Sequence, residues 1–321
     1  MPFPRFLKRP RLVLPTALAT LAVTTALASV LAAPAHAATT DLPVNYDFIA
    51  GAVTNTSPTI PPPGANNWSC QLTAAHPYPV ILVHGTDANM DDNWQAASPV
   101  LANHGYCVYA FNYGGDTPTS LTQGTGEIGA SAAQLATFVN QVLTATGAAK
   151  VDLVGHSEGG MMPRYYINFL GGASTVHDFV ALAPDNYGTT LDGLTLLASE
   201  FGVSLDSTPE TAGSEQIAGS AFLAHLNVNP TVPSVHYTDI ESKDDEIVTP
   251  YTSSFLPAAP NVTNITVQDV CAQDESDHIE MGADPVAMAL MLNALDPAAP
   301  VKVPCLLVLP LIGPLSAVPS F

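Results

Sequence analysis

The chain has 321 residues, 47% of them apolar and only 11% charged, so it can bury a substantial core and is too apolar for general disorder. Its 28 acidic residues against 8 basic ones give a formal net charge of −20, and four of the bases (Arg5, Lys8, Arg9, Arg11) precede every acid. Only Lys150, Arg164, Lys243 and Lys302 then remain, too few to neutralise a row of phosphates. That excludes nucleic acid as a partner, and charge-driven adhesion to anionic lipid with it.

In chain order, the basic residues 5–11 are followed by an Ala-rich apolar run over 12–31, and Ala35-His36-Ala37 places small residues at −3 and −1. This is the anatomy of a secretory signal peptide, residues 1–37, with cleavage after Ala37. Pro10 separates Arg9 from Arg11, so no twin-arginine pair is present and the general export route is expected. The apolar run is just long enough to span a bilayer. The cleavage site and Pro34 nevertheless favour removal, so the mature chain, 38–321, is expected to be extracellular with no stable membrane insertion. It then carries four bases against 28 acids, a charge of −24 that bears on solubility and not on substrate.

Residues 38–75 are rich in Pro, Thr and Asn and read as an irregular arm over the surface. Val80-Ile81-Leu82-Val83 is a continuous apolar run, the pattern of a strand covered on both faces. Further short runs lie at 107–111, 151–154, 179–182, 235–240 and 262–267. Ile128, Leu135, Phe138, Val139 and Val142 share one helical face that stops near Gly147. Met161, Met162, Tyr165, Tyr166 and Phe169 form a second such face. Asp284-Pro285 opens a third helix to about Leu295, with an N-cap and Pro at N1. Strands alternating with helices predict an α/β fold, a mostly parallel central sheet with helices on both faces, in a single catalytic domain. The tail over 301–321 is strongly apolar but has four prolines, and packing on the body is expected of it.

Export makes disulfides the expected state of the four cysteines. Three connectivities are possible, and sequence neighbours favour Cys70 with Cys107 and Cys271 with Cys305. No CxxC occurs, so metal or redox use of the cysteines has little support.

Gly155-His156-Ser157-Glu158-Gly159 fits G-x-S-x-G and follows directly on the strand over 151–154, leading into a helix. That setting is what a nucleophile elbow requires, with Ser157 Oγ lifted above the sheet. A serine hydroxyl needs a base and a group to orient it, and in this fold they follow in the order Ser, acid, His. Of His177, His225, His236 and His278, only His278 follows the acidic cluster of Asp239, Glu241, Asp244, Asp245 and Glu246. His177 and His236 read as structural. Asp245 is the favoured acid, with Asp244 as runner-up, and the rest of the cluster reads as a solvated loop. Backbone N–H groups of Glu158 and of Thr86, in His84-Gly85-Thr86, are the expected oxyanion donors. The Glu158 side chain has a bland reading, as an acid at a helix N-terminus.

Together, the run from Val80 to Thr86, Gly155 to Gly160, Ala181-Leu-Ala-Pro184 ahead of Tyr187-Gly-Thr-Thr190, Asp245-Glu-Ile-Val-Thr-Pro-Tyr251 and Asp277-His278 resemble the secreted bacterial, actinobacterial-type lipases of the lipase class 2 family, an α/β-hydrolase group. The resemblance covers roughly residues 65 to 305. It implies Ser157, Asp245 and His278 as a triad, Thr86 and Glu158 as the oxyanion hole, and both cysteine pairings. It also implies hydrolysis of triacylglycerols and simpler esters, in some members of synthetic polyesters.

The apolar stretch over 190–203 reads equally as a lid over an acyl pocket or as a core helix. Calcium at Asp274, Glu275 and Asp277 lacks an ordered ligand spacing, and a solvated charge run is preferred, so no metal and no cofactor are expected. The expected protein is a monomeric lipase or carboxylesterase acting on lipid or ester substrates. Its rivals are an acyltransferase or peptidase with the same triad, and a non-catalytic surface-binding protein that kept the fold.

Overall fold

The computed structural model describes residues 41–54, 57–190 and 211–321, together with residues 1, 2, 192, 193, 195 and 196. Apart from residues 1 and 2 the expected leader lies outside the described residues, as does most of the expected lid over 190–203. Six strands run parallel in the order β2-β1-β3-β4-β5-β6: β1 (Val80–Val83), β2 (Val108–Ala110), β3 (Val151–His156), β4 (Val176–Leu182), β5 (His236–Glu241) and β6 (Val262–Thr266). β1 lies between β2 and β3, and the chain then adds β4, β5 and β6 outward on one side. Parallel pairing needs crossovers, and the helices that make them cover both faces.

The side-chain alternation divides the core in two. Val80 and Leu82 of β1, with Val108, Val154, Val180 and Ile240, face α2 (Ala97–Asn103) and a C-terminal helix, Pro285–Leu295. Ile81 and Val83, with Tyr109, Leu153, Phe179 and Tyr237, face α3 (Ile128–Thr146) and the helix Pro163–Phe169. β1 is fully buried throughout, as its unbroken apolar run requires. Each such side chain contributes roughly 1.5–3 kcal/mol on burial.

α3 begins where Glu127 accepts hydrogen bonds from the N–H groups of Gly129 (3.2 Å) and Ala130 (2.8 Å), and it ends at Gly147 with φ 71°. The helix expected after the elbow is two pieces, α4 (Glu158–Met161) and α5 (Pro163–Phe169), joined through Met162. Phe169, expected inside, is 40% exposed. Two short helices, α6 (Thr211–Gln216) and α7 (Ala221–Leu226), precede β5, and α8 (Val267–Val270) follows β6. The last helix is α9 (Pro285–Leu295), capped by Asp284 on the N–H groups of Val286 and Ala287. It is apolar nearly all round because the sheet and α2 enclose it.

The N-terminal arm is not wholly irregular, since α1 (Phe48–Thr54) forms within it. Phe48 is buried in the core, and its N–H donates to Glu280 Oε2 at 3.1 Å. This anchorage comes from residues more than 200 positions away, beyond the reach of a composition argument. The tail packs on the body, with Val308 fully buried, a hairpin of β7 (Val308–Leu309) and β8 (Gly313–Pro314), and His104 Nε2 bonded to the carbonyl of Phe321 at 2.8 Å. Cys70–Cys107 and Cys271–Cys305 are disulfides. The first ties the arm to the start of β2, and the second ties the tail to the end of α8. Among the described residues no helix is long and apolar enough to cross a membrane.

Candidate active site

The chain turns sharply where β3 ends. Ser157 sits at φ 56°, ψ −124°, a region a non-glycine residue occupies only when its surroundings enforce it. Its N–H donates to the carbonyl of Leu182 at 3.0 Å. Two glycines make the turn possible. A Cβ on Gly155 would stand 1.7 Å from the carbonyl oxygen of Gly159, and one on Gly159 would stand 2.0 Å from that of Val83.

The structure brings Ser157, His278 and Asp245 into one line at the C-terminal ends of the strands. Ser157 Oγ lies 2.9 Å from His278 Nε2, and His278 Nδ1 lies 2.7 Å from Asp245 Oδ2. Asp245 Oδ1 accepts from the N–H groups of Ile247 (2.8 Å) and Val248 (2.7 Å), so the carboxylate is fixed in rotation. Asp244, one residue earlier, is exposed. Burial opposes a charged His278, but the charge and hydrogen bond of Asp245, aided by Glu246 and Asp185, outweigh it and move the imidazole above its ordinary pKa.

His156 holds the line from behind. Its Nε2 bonds to the backbone carbonyl of His278 at 2.9 Å, and its Nδ1 faces Asn93 Nδ2 at 3.3 Å. Asn93 Oδ1 in turn accepts from the N–H of Gly85 at 2.9 Å. Burial, with the nearby His278, lowers the His156 pKa to about 3, so it stays neutral while donating to that carbonyl. One side chain, Asn93, therefore couples the loop carrying Thr86 to the residue that positions His278. His84 stacks on Tyr113 at 4.2 Å, and Tyr113 Oη donates to the His84 carbonyl at 2.6 Å. The sequence offers no signal for Asn93 or Tyr113, because neither lies in a motif.

Thr86 and Glu158 are adjacent in space. Thr86 Oγ1 donates to Glu158 Oε2 at 2.5 Å, and Gln216 Nε2 donates to both, at 2.8 and 3.2 Å. The Glu158 side chain is thus fully buried, not merely an acid at a helix N-terminus. Burial raises its pKa well above the carboxyl range despite the Thr86 hydrogen bond, and the charges of Asp185, Asp87 and Glu215 push the same way. The solvated acidic loop expected around Asp245 is also corrected. Asp239 and Glu241 are buried, Asp239 accepting from the N–H of Leu256 at 3.0 Å and Glu241 from the N–H of Ser242 at 2.7 Å and the hydroxyl of Ser254. Asp274 and Asp277 are likewise buried. Asp274 accepts from Ser276, and Asp277 caps the N–H of Glu280 at 2.7 Å, so these carboxylates set the shape of the loop carrying His278.

The sheet order, the elbow and the Ser–His–Asp line define an α/β-hydrolase fold. Residues 77–290 match the family described as Lipase (class 2), and the chain belongs to that family. A 97-residue stretch is 47% identical to a triacylglycerol lipase of Pseudarthrobacter phenanthrenivorans and equally to one of Burkholderia plantarii. That stretch is 29% of this chain and spans only 28% and 25% of those relatives. Among solved structures, Aspergillus fumigatus lipase B is similar at TM-score 0.58 and 22% identity, over 73% of this chain and 55% of that one. The mature form of Bacillus licheniformis lipase BlEst2 is similar at TM-score 0.52 and 15% identity, over 74% and 95%. These two likenesses concern the fold.

Proposed function

We propose that this chain is a secreted serine hydrolase that cleaves carboxylic ester bonds of lipids, a lipase or carboxylesterase. The observation that carries the reading is the hydrogen-bonded line from Ser157 Oγ through His278 to Asp245, at 2.9 and 2.7 Å, on a strained elbow. Ser157 Oγ attacks the ester carbonyl while His278 Nε2 takes its proton. The N–H groups of Thr86 and Glu158 receive the oxyanion, and Asp245 keeps the imidazole oriented and stabilises its charged form. As the tetrahedral intermediate collapses, His278 gives the proton to the leaving alcohol. Water then repeats the sequence on the acyl-enzyme and releases the acid. Membership of the class 2 lipases and the triacylglycerol lipase relatives support lipid esters as the substrate class. The two disulfides support an oxidising destination, and with it the removal of residues 1–37 as a leader.

The test is hydrolysis of p-nitrophenyl esters from acetyl to palmitoyl by the wild type and by Ser157→Ala. A loss of several orders of magnitude in the variant supports the mechanism, and the chain-length optimum separates esterase from lipase. A polyester film in the same assay tests that extension. Wild-type protein inert on every ester would overturn the reading. N-terminal sequencing of the secreted product tests cleavage after Ala37.

A further inference from the structure

At the opposite end of the strands, where they begin, two histidines and two carboxylates converge. Their placement follows from an irregularity in strand pairing. β3 and β4 are in register at Val151 and Val176 but resume at Leu153 and Phe179, so the single residue Asp152 stands across from both His177 and Asp178. A bulge of this kind turns two neighbouring side chains, which would otherwise point to opposite faces, toward one point. β5 completes the group, since His236 is the registered partner of Asp178.

The distances are short. His177 Nδ1 lies 3.1 Å from Asp152 Oδ1 and 3.1 Å from Asp178 Oδ2, and His236 Nδ1 lies 2.9 Å from Asp178 Oδ1. One ligand atom each from His177, Asp178 and His236 fall within 4.8 Å of one another. The carboxylates are nearly buried, with side chains 5% (Asp152) and 10% (Asp178) exposed, while the imidazoles reach solvent, at 35% for His177 and 66% for His236. His177, Asp178 and His236 also form one wall of an open cleft of about 530 Å³, whose other walls are largely apolar (Ile265, Leu290, Leu295) with Asn261 and Asn293 among them. A ligand can therefore reach it without disturbing the core.

We propose that His177, Asp178 and His236 form a binding site for a divalent transition-metal ion, with zinc as the best match. Two imidazoles and a carboxylate are the donor set of zinc, nickel or copper and not of calcium or magnesium. Tetrahedral zinc with bonds of about 2.0–2.1 Å holds its ligand atoms roughly 3.3 Å apart, against 3.1 and 2.9 Å here from the two Nδ1 atoms to different oxygens of Asp178 and no more than 4.8 Å between the imidazoles. Both Nδ1 atoms aim at Asp178, so an ion there takes the place of the protons between them, and each neutral imidazole carries its single proton on Nε2. Asp152 Oδ1 lies 3.1 Å from that same Nδ1 of His177, so it stands beside the ion as a further carboxylate. Lys150 is engaged with the carbonyl of Val176 at 3.2 Å. The site is independent of the ester chemistry, which lies at the other ends of the strands.

Zinc titration of the EDTA-stripped protein by calorimetry, with metal content after dialysis, tests this. One zinc per chain is expected, with affinity weakened at least about tenfold in each of His177→Ala, His236→Ala and Asp178→Asn. His104→Ala, a histidine of a different cleft, should bind as the wild type does. Zinc should raise the thermal midpoint of the wild type and not of the His236 variant, and cobalt in its place should give the visible bands of a tetrahedral site. Ester hydrolysis should stay at the wild-type rate in all of them, which reports folding independently. His236 is exposed enough to be truncated without unfolding the chain, so that variant keeps the test decisive. A wild type that takes up no zinc below about 0.1 mM overturns the proposal. So does binding that survives in the His177 and His236 variants.

Discussion

The Asp245→Asn substitution tests the proposed mechanism most sharply, because the surroundings of Asp245 dictate how the amide must sit. Oδ1 accepts two backbone N–H groups, from Ile247 and Val248, at 2.8 and 2.7 Å. Asparagine must place its carbonyl oxygen there, because turning the amide round would leave both donors unpaired at about 1–3 kcal/mol each. Its NH2 group then faces His278 Nδ1, where Asp245 Oδ2 stood at 2.7 Å. An NH2 group donates, so Nδ1 must become the acceptor and the imidazole proton moves to Nε2. From there it points at Ser157 Oγ, 2.9 Å away, and His278 can no longer accept the serine proton. The expected loss in kcat is about 10⁴-fold, roughly 5.5 kcal/mol of transition-state stabilisation. Folding stability should change little, since both backbone hydrogen bonds survive. The assay is kcat/KM on a p-nitrophenyl ester, with the thermal midpoint measured on the same preparation and Asp244→Asn as comparison. An Asp245→Asn variant within about tenfold of the wild type would refute the reasoning, as would an equal loss from the exposed Asp244.

The pH profile of kcat/KM should show activity lost as pH falls through a His278 pKa above the ordinary 6.5, and Asp245→Asn should remove that displacement in whatever activity remains. Stability should fall as pH rises from about 7 to about 9. Burial pushes Glu280 up from 4.5 to about 10, so over that range the folded state holds a proton that the unfolded chain has released. Asp92, Asp185 and Asp239, pushed up from 3.8 to about 7, have the same sign but act mainly between about 4 and 7. His84 and His156, lowered to about 4 and about 3, act with the opposite sign, but only below 6.5. A thermal midpoint that rises over that alkaline range would contradict this account. Glu158→Gln should keep kcat within about threefold, because a neutral amide replaces a carboxyl that burial already holds neutral, whereas loss of a needed charge would cost far more. Replacing Cys70 and Cys107 by serine frees a loop of sequence separation 37. It should cost about 4 kcal/mol, read from denaturant midpoints, and no shift would show that the arm is held by packing alone.

Some of this protein is written locally. The run over 80–83 specifies a strand buried on both faces, Asp284-Pro285 specifies where a helix starts, and the two elbow glycines specify a turn that admits no Cβ. In each case the deciding interactions lie within a few residues along the chain. The choice between Asp244 and Asp245 is not of that kind. Both are acids in the same loop, and only the fold decides that one is exposed while the other accepts from Ile247 and Val248 and faces a histidine 33 residues on. The burial of Asp239, Glu241, Asp274 and Asp277 is hidden for the same reason, because a run of acids looks solvated until distant donors satisfy it. Asn93 joins His156 to Gly85 across 63 and 8 residues, and no motif marks it. The cluster at His177, Asp178 and His236 depends on a strand irregularity, and pairing register exists only between strands. Sequence determined the elements and the elbow, since their causes are short-range. Tertiary structure decided which polar groups meet, because a hydrogen bond needs two partners and only the folded chain brings the second one near.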